Sequence, residues 1–399
     1  MTENNNLLEL YFHIPFCERK CHYCDFLSAP AHRKTQDAYM EALLREVEER
    51  SKFLGAYNIC SIFIGGGTPS IISAEWIVYL LLSVKKWFHV TLDAEITIEV
   101  NPGTVDEEKL RLYFQAGVNR LSIGLQSALD EELLRIGRIH TFSQFRDTYS
   151  MARRVGFHNL NVDIMSALPG QSLQDYDKTL QSIMELDPRP EHISAYSLII
   201  EEGTLFAEQH KAGNLLLPDE ECEREMYDLT DKILKEWGYH RYEISNYALE
   251  GYECRHNCGY WRRIQYAGFG LGAASLIQNR RFHNSEDLGV YLENPPEAAQ
   301  EIHELSREEQ MEEFLFLGLR LNQGVSMREF YKYFTCPMEE IYGSVIRKHM
   351  EEGLLEMVMS HNREEAENKE DDTADTRLCL TEKGRDLSNY VMASFLLTC

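Results

Sequence analysis

The sequence has no long apolar run. Nothing in its 399 residues approaches the ~18 consecutive apolar residues that cross a bilayer, so no transmembrane segment is expected. The first residues, Met1-Thr-Glu-Asn-Asn-Asn6, lack the basic stretch and apolar core of a secretory signal, and a cytoplasmic location is the expectation. Positive charge is short as well: 40 Lys and Arg stand against 65 Asp and Glu, a formal charge of −25. A field of that sign repels phosphate backbones, so nucleic acid is not an expected partner. No internal repeat is visible. What is present is ordinary globular material, 44% hydrophobic and 26% charged, enough to bury a core and too much for wholesale disorder. The length fits two domains, or one large domain with an appendage. Ten cysteines make an even number, yet a reducing compartment argues against disulfides. Three of them fall within eight residues, which reads as metal chemistry.

Short β-rich runs recur at about 8–14, 60–65, 95–100, 120–124, 159–164 and 191–198, with helical patterns at 35–53, 73–87, 106–116 and 174–186 between most of them. Such alternation implies parallel strands joined by crossover helices. Six strands are too few for a full eight-stranded barrel and enough for a partial one; a doubly wound open sheet is the alternative. After about residue 300 the pattern changes. Helices are expected at Glu308–Leu321, 327–334 and 338–352, β-runs at Leu354–Met359 and Arg377–Thr381, and a last helix over about 382–397. Between the β-runs, Ser360–Thr376 holds seven acidic and two basic residues and no large apolar side chain, the composition of a solvated loop. Three helices and a hairpin resemble a winged-helix domain, whose acidic wing would not suit DNA. The division is therefore 1–290 and 300–399, with the acidic loop at 360–376.

The sharpest local signal is Cys17-Glu-Arg-Lys-Cys21-His-Tyr-Cys24, directly after the first strand. Thiolates bind iron–sulfur clusters, usually with four ligands. Here the motif supplies three, which leaves one iron of a [4Fe–4S] cluster with an open position. The amino and carboxylate groups of S-adenosylmethionine (SAM) can chelate such an iron. Structural zinc is the plainer alternative, with Cys17, Cys21, Cys24 and either His13 or His22 as a Cys₃His set. Cys60, in an apolar strand, reads as an inert core thiol.

Tyr11-Phe-His-Ile-Pro-Phe-Cys17 through Cys24-Asp-Phe26 resembles the radical SAM superfamily. The resemblance is narrower still, to the branch that holds oxygen-independent coproporphyrinogen III oxidases and HemW haem chaperones, and it runs over nearly the whole chain. It implies a partial (β/α)6 TIM-like radical SAM barrel with a C-terminal helical, winged-helix-like domain. It also implies a [4Fe–4S] cluster on Cys17, Cys21 and Cys24, and SAM contacts from Tyr11, Gly66, Gly67, Thr68, Glu99, Gln126, Arg138 and Asp163.

The residues themselves fit that reading. Active sites of parallel barrels lie at the C-terminal ends of the strands, and unusual residues fall at those ends. Gly65-Gly66-Gly67-Thr68-Pro69 follows the second run, Glu99-Val-Asn101-Pro102 the third, Gly124-Leu-Gln126 the fourth and Asp163 the fifth. Glycines let backbone approach a ligand closely, a carboxylate can take ribose hydroxyls or an ammonium, and Arg138 can fork onto a carboxylate. Each residue alone has an ordinary explanation: a tight turn, a local ion pair, a surface arginine. Four successive strand ends behind one cysteine loop do not.

Two positions bear on the branch. The oxidases resembled carry a cysteine two places after the third cluster cysteine; here Phe26 stands there. Cys254-Arg-His256-Asn257-Cys258-Gly-Tyr260-Trp261 matches an H-N-x-x-Y-W signature of the chaperone branch, associated there with haem. Imidazole is a normal axial ligand of haem iron, so His256 is the candidate haem residue. A satisfied loop histidine, or zinc on Cys254, His256 and Cys258, are the alternatives. Gly268-Phe-Gly270-Leu-Gly272 has no βαβ unit around it and reads as a turn on the barrel's open side rather than a dinucleotide loop. The resemblance implies a haem chaperone that carries haem as cargo to apo-haemoproteins, with a flavodoxin-type electron donor. The alternatives are an oxidase that decarboxylates coproporphyrinogen III, and a radical enzyme on another substrate such as tRNA, which the acidic charge disfavours.

Overall fold

Alternation along the first strand sets the architecture. In β1 (Leu7–Ile14) the side chains of Leu8, Leu10, Phe12 and Ile14 are fully buried in the main apolar core, while Glu9, Tyr11 and His13 take the intervening positions. The structure, a computed structural model, describes residues 6–295, 299–360 and 375–397. Five more parallel strands follow β1 side by side: β2 (Asn58–Gly66), β3 (His89–Val100), β4 (Arg120–Gln126), β5 (Leu160–Ser166) and β6 (His192–Ser197). Between them run α1 (Arg33–Leu54), α2 (Ala74–Trp87), α3 (Glu107–Ala116), α4 (Asp130–Arg135), α5 (Phe142–Val155) and α6 (Leu173–Met184). The six expected strands are present in the expected order, and so is the α/β alternation. Their apolar faces pack under Tyr39, Leu43 and Val47 of α1, Ile77, Leu80 and Val84 of α2 and Leu180 and Ile183 of α6. The other face is polar: Arg120 is fully buried there, its charge offset by Glu95 and Asp163.

The sheet continues past both ends of this six-stranded unit. After α7 (Leu205–Lys211) and α8 (Glu220–Glu236), β8 (Asn246–Ala248) adds antiparallel to β6 and β7 (His240–Arg241) antiparallel to β8. After α9 (Arg255–Trp261), β9 (Tyr266–Phe269) returns to pair parallel with β1, and β10 (Ala274–Ile277) and β11 (Arg280–Asn284) extend that edge. Beyond α10 (Leu288–Glu293), β12 (Ala299–Glu304) completes the twelve-stranded sheet. Of the glycine-rich 268–272 segment, Gly268 and Phe269 end β9 and Gly270 to Gly272 begin the β9–β10 turn, so the turn its sequence implied is there in part. Glu46 of α1 holds it. This buried carboxylate accepts from Gly270 N at 2.9 Å, Tyr291 Oη at 2.7 Å, Asn284 Nδ2 at 2.8 Å and Arg50 Nη1 at 3.0 Å. A buried charge so fully partnered fixes the geometry of the edge it joins.

A second apolar core gathers α11 (Arg307–Gly318), α12 (Met327–Phe334) and α13 (Met338–Glu351) around a three-stranded sheet of β13 (Val325–Ser326), β15 (Asp375–Leu380) and β14 (Leu355–Ser360). The three helices and the β-runs match the winged-helix expectation, with β13 added. The single terminal helix does not form. It is two short helices, α14 (Glu382–Asp386) and α15 (Ser388–Ala393), broken at Leu387, where φ −109° and ψ 26° leave the helical range. Most of the acidic loop, 361–374, lies outside the described residues. At its far end Asp375 is buried and accepts from Ser326 Oγ at 3.0 Å, so that acid is part of the sheet rather than of a solvated loop. Among the described residues no helix is long and apolar enough to cross a membrane.

Candidate cofactor site and adjoining cavity

The cysteine loop leaves β1 and is stitched to the strand ends around it. Gly67 N donates to Ile14 O at 2.9 Å and Thr68 N to Phe16 O at 2.7 Å, so the glycine turn after β2 clasps the residues just before Cys17. His22 N donates to Ile136 O at 3.1 Å, tying the loop to the α4 end. Cys17, Cys21 and Cys24 are all free thiols, the first buried and the others half-buried. Among the described residues no set of three or more Cys, His, Asp or Glu is drawn together for one metal ion.

Behind the loop the strand-end residues form one connected set. Asn101 Nδ2 donates to Thr68 Oγ1 at 2.8 Å, and Arg138 Nη1 donates to Asn101 Oδ1 at 2.9 Å. Arg138 also bonds Tyr23 of the cysteine loop. Gly124 leaves the space in which this set meets: a Cβ there would lie 3.0 Å from Asn101 Oδ1, 3.2 Å from Gln126 Nε2 and 3.3 Å from Arg138 Nη2. Cys21, Thr68, Asn101 and Arg138 line one cleft. Gln126 itself adopts φ 73°, a left-handed conformation that costs a non-glycine residue energy and clusters at functional sites. At Gly66 the backbone needs φ +114°, and a Cβ would stand 2.7 Å from the His13 ring. Gly66 N donates to Glu99 Oε2 at 3.0 Å. Asp163 accepts from Asn161 Nδ2 at 2.7 Å and from Ser122 Oγ at 3.3 Å.

Electrostatics in this set follow from burial. Glu99 is pushed up to about 8, first by desolvation and then by the neighbouring Asp163 carboxylate. Asp163 is raised too, by burial, with its hydrogen bonds opposing. Arg120 and Arg138 pull Glu99 the other way, with the weaker effect. His13 is held neutral by burial. Its Nε2 faces the Leu27 carbonyl at 2.8 Å, which can only accept, so Nδ1 accepts from Tyr11 Oη at 2.9 Å.

The His256 motif sits elsewhere, on α9. The imidazole is buried, stacked on Phe63 at 5.2 Å, with Nδ1 2.8 Å from Ser61 Oγ and Nε2 2.9 Å from Tyr260 Oη. Ser61 passes its own hydrogen to Glu9 Oε1 at 3.1 Å, so the network assigns the proton to Nδ1 and the lone pair to Nε2. Burial pushes this histidine down to about 3. Both ring nitrogens are therefore engaged, and an iron could reach Nε2 only by displacing the Tyr260 hydroxyl. The Cys254 thiol donates to Glu95 Oε1 at 3.6 Å.

Tyr260 and Trp261 line a cavity of 560 Å³ that the sequence did not announce. Tyr11 of β1, Tyr266 of β9, Leu276 of β10 and Arg281 of β11 form further parts of its wall, and Glu313, Phe316 and Leu317 of α11 close it. Tyr11 is the one member of the expected SAM set that reaches it. The structure thus brings Gly66, Gly67, Thr68, Glu99, Gln126 and Arg138 to the strand ends around the cysteine loop, places Asp163 midway along β5 rather than after it, and sets His256 apart. Asn101 and Tyr23 are site residues that the sequence reading left without a role, and His13, offered there as a zinc ligand, bonds Tyr11 Oη and the Leu27 carbonyl. A polar residue two places after Glu99 was the available signal for Asn101; nothing marked Tyr23.

Comparison with known proteins agrees with this geometry. Residues 11–183 match the radical SAM superfamily, and residues 305–358 match the HemN C-terminal domain. The chain is 37% identical over 390 residues to the haem chaperone HemW of Bacillus subtilis, covering 97% of this chain and 98% of that one. It is 35% identical over 389 residues to the haem chaperone HemW of Lactococcus lactis, covering 97% of each. Among solved structures, the coproporphyrinogen III oxidase HemN of Escherichia coli, a radical SAM enzyme, superposes with a TM-score of 0.82 at 22% identity, over 99% of this chain and 91% of that one. That likeness is one of fold.

Proposed function

The chain belongs to the radical SAM superfamily and, within it, to the HemW family, and from that premise we propose that it is a haem chaperone that binds a [4Fe–4S] cluster, SAM and haem and delivers haem to apo-haemoproteins. The observation that carries the haem part is the likeness, over 97% of this chain, to the haem chaperones of Bacillus subtilis and Lactococcus lactis. In this reading Cys17, Cys21 and Cys24 hold the cluster. When bound, the cluster supplies an electron to the sulfonium of SAM, and a flavodoxin-type partner supplies it to the cluster.

The chain's own residues do the rest. Gly66 and Gly67 let backbone reach the amino end of SAM, and Thr68 is held in place by Asn101. Glu99 gives up its proton from the buried carboxyl as a cationic group arrives. Arg138 takes the methionine carboxylate while Asn101 keeps it aimed. Tyr11, Gln126 and Asp163 complete the SAM contacts. His256, with Nδ1 donated to Ser61, has the tautomer of an axial ligand, and it reaches haem once the Tyr260 hydroxyl swings away. Residues 1–290 carry the cofactors and 300–399 cover the cavity. A cytoplasmic location belongs to the same reading.

The test is anaerobic. The cluster is reconstituted and haem is titrated while the porphyrin band is followed. Coproporphyrinogen III, reductant and SAM are assayed in parallel. One haem bound per chain with no decarboxylated product is the expected result. Protoporphyrinogen formation without stable haem binding would make the protein an oxidase and overturn the proposal.

A further inference from the structure

We infer that the cavity under α11, rather than the mouth of the cysteine loop, is where haem is seated, and that Arg281 is the group that takes one of its propionates. The inference rests on the haem-chaperone reading and adds to it a place and a carboxylate partner outside the His256 motif.

Shape comes first. The walls are aromatic and aliphatic: Tyr260, Trp261 and Tyr266 on the sheet side, Phe316 and Leu317 on α11. The volume of 560 Å³ falls within the ~300–1,000 Å³ of small-molecule and cofactor sites, and flat aromatic walls suit a flat macrocycle. Trp261 Nε1 is a buried donor with no protein partner, an unusual cost for a wall that never meets a ligand.

Charge then selects the guest. Glu313 is shared by two guanidiniums: Arg263 Nε donates to Oε2 at 3.0 Å and Arg281 Nη2 to Oε1 at 2.6 Å. Arg281 Nη1 also donates to Tyr266 Oη at 3.1 Å. Two guanidiniums thus share one carboxylate at the rim of an apolar cavity, in a chain whose formal charge is −25. The two arginines are not equivalent. Arg263 is 13% exposed and Arg281 39%. Arg281 can turn outward to an incoming carboxylate while Arg263 keeps Glu313 neutralised, so the exchange strands no buried charge. An apolar plate bearing carboxylates at one edge is the guest that satisfies both halves of the site, and haem has that form.

Haem and its dimethyl ester separate these elements. The full chain, wild type and as Arg281→Gln, Arg281→Lys and Leu317→Trp, is titrated with each ligand and followed by porphyrin absorbance, with cluster content measured alongside. Wild type should bind haem about tenfold more tightly than the diester, the scale of one charge-assisted contact. Arg281→Gln should lose that preference and Arg281→Lys keep part of it. Leu317→Trp, which fills the cavity, should weaken both ligands about tenfold or more with cluster content intact. Wild-type haem affinity in Leu317→Trp together with an unchanged ester preference in Arg281→Gln would overturn the cavity assignment and leave the chaperone reading standing. A wild-type chain that binds no haem would end both.

Discussion

The hydroxyl of Tyr260 lies 2.9 Å from Nε2 of His256 and occupies the lone pair that an iron would need. Tyr260 also lines the cavity, so the same hydroxyl separates the imidazole from a guest there. Tyr260→Phe keeps the ring and removes the competing hydrogen bond, worth about 1 kcal/mol. Haem affinity should rise about fivefold. His256→Ala should lower it about tenfold or more while the cluster absorbance stays the same. Identical haem affinity in the two variants and the wild type would remove His256 from the ligand set.

Gly66 is fixed by two independent constraints, φ +114° and a Cβ position 2.7 Å from the His13 ring. Gly66→Ala must move the turn or the ring, at a cost of about 1–3 kcal/mol. The moved turn takes with it the Gly66–Glu99 hydrogen bond. SAM affinity, read by equilibrium dialysis, should fall about tenfold or more, and the urea midpoint should drop. A variant that retains both would show that the turn is only structural.

Asn101 stands between Thr68 and Arg138, donating to one and accepting from the other. Asn101→Ala leaves both without that partner, and Arg138 already has one buried nitrogen, Nε, without a protein acceptor. Its role is positioning. SAM affinity should fall about fivefold to tenfold, and Asn101→Asp, which keeps only the acceptor for Arg138, should recover part of the loss. Equal losses in both would mean that the aim of Arg138 does not depend on residue 101.

These cases also mark where the sequence was readable. The six parallel strands are buried on at least one face, so they show as short apolar runs, and β1 to β6 stand where those runs lie. Their C-terminal ends were readable because Glu99 and Gln126 are polar residues closing apolar strands, whereas Asp163 stands as a lone acid midway along β5. Asn101 was not, because its role arises from register: Thr68 and Arg138 reach it from two other loops. Strands β9 to β12 are four to six residues long and owe their conformation to β1 and to Glu46, more than 200 residues away in the chain. The cavity was hidden for the same reason. Its walls come from β1, α9, β9, β10, β11 and α11, and no local pattern encodes their meeting. The break at Leu387 divides a helix whose apolar spacing continues across it, so periodicity alone ran the two pieces together.

Glu99 carries a pH signature. Burial favours its neutral form and raises it from an ordinary 4.5 to about 8. Between those values the folded chain holds a proton on Glu99 that the unfolded chain has released. Stability supplied by this carboxyl is therefore complete below the unfolded value and is lost as pH rises towards 8. Glu9 and Asp163, also raised by burial, add slopes of the same sign, so the wild-type curve alone does not isolate Glu99. Glu99→Gln does, because the amide oxygen can still accept from Gly66 N and nothing at the position titrates. Urea midpoints measured from about pH 5 to about pH 8 should fall more steeply for wild type than for Glu99→Gln. Saturating SAM should shrink the difference, since a cationic guest draws the proton off Glu99 in the folded state. Parallel curves for the two proteins without ligand would mean that Glu99 ionises like an exposed carboxyl, and that the cradle does not hold a neutral acid in wait for a cation.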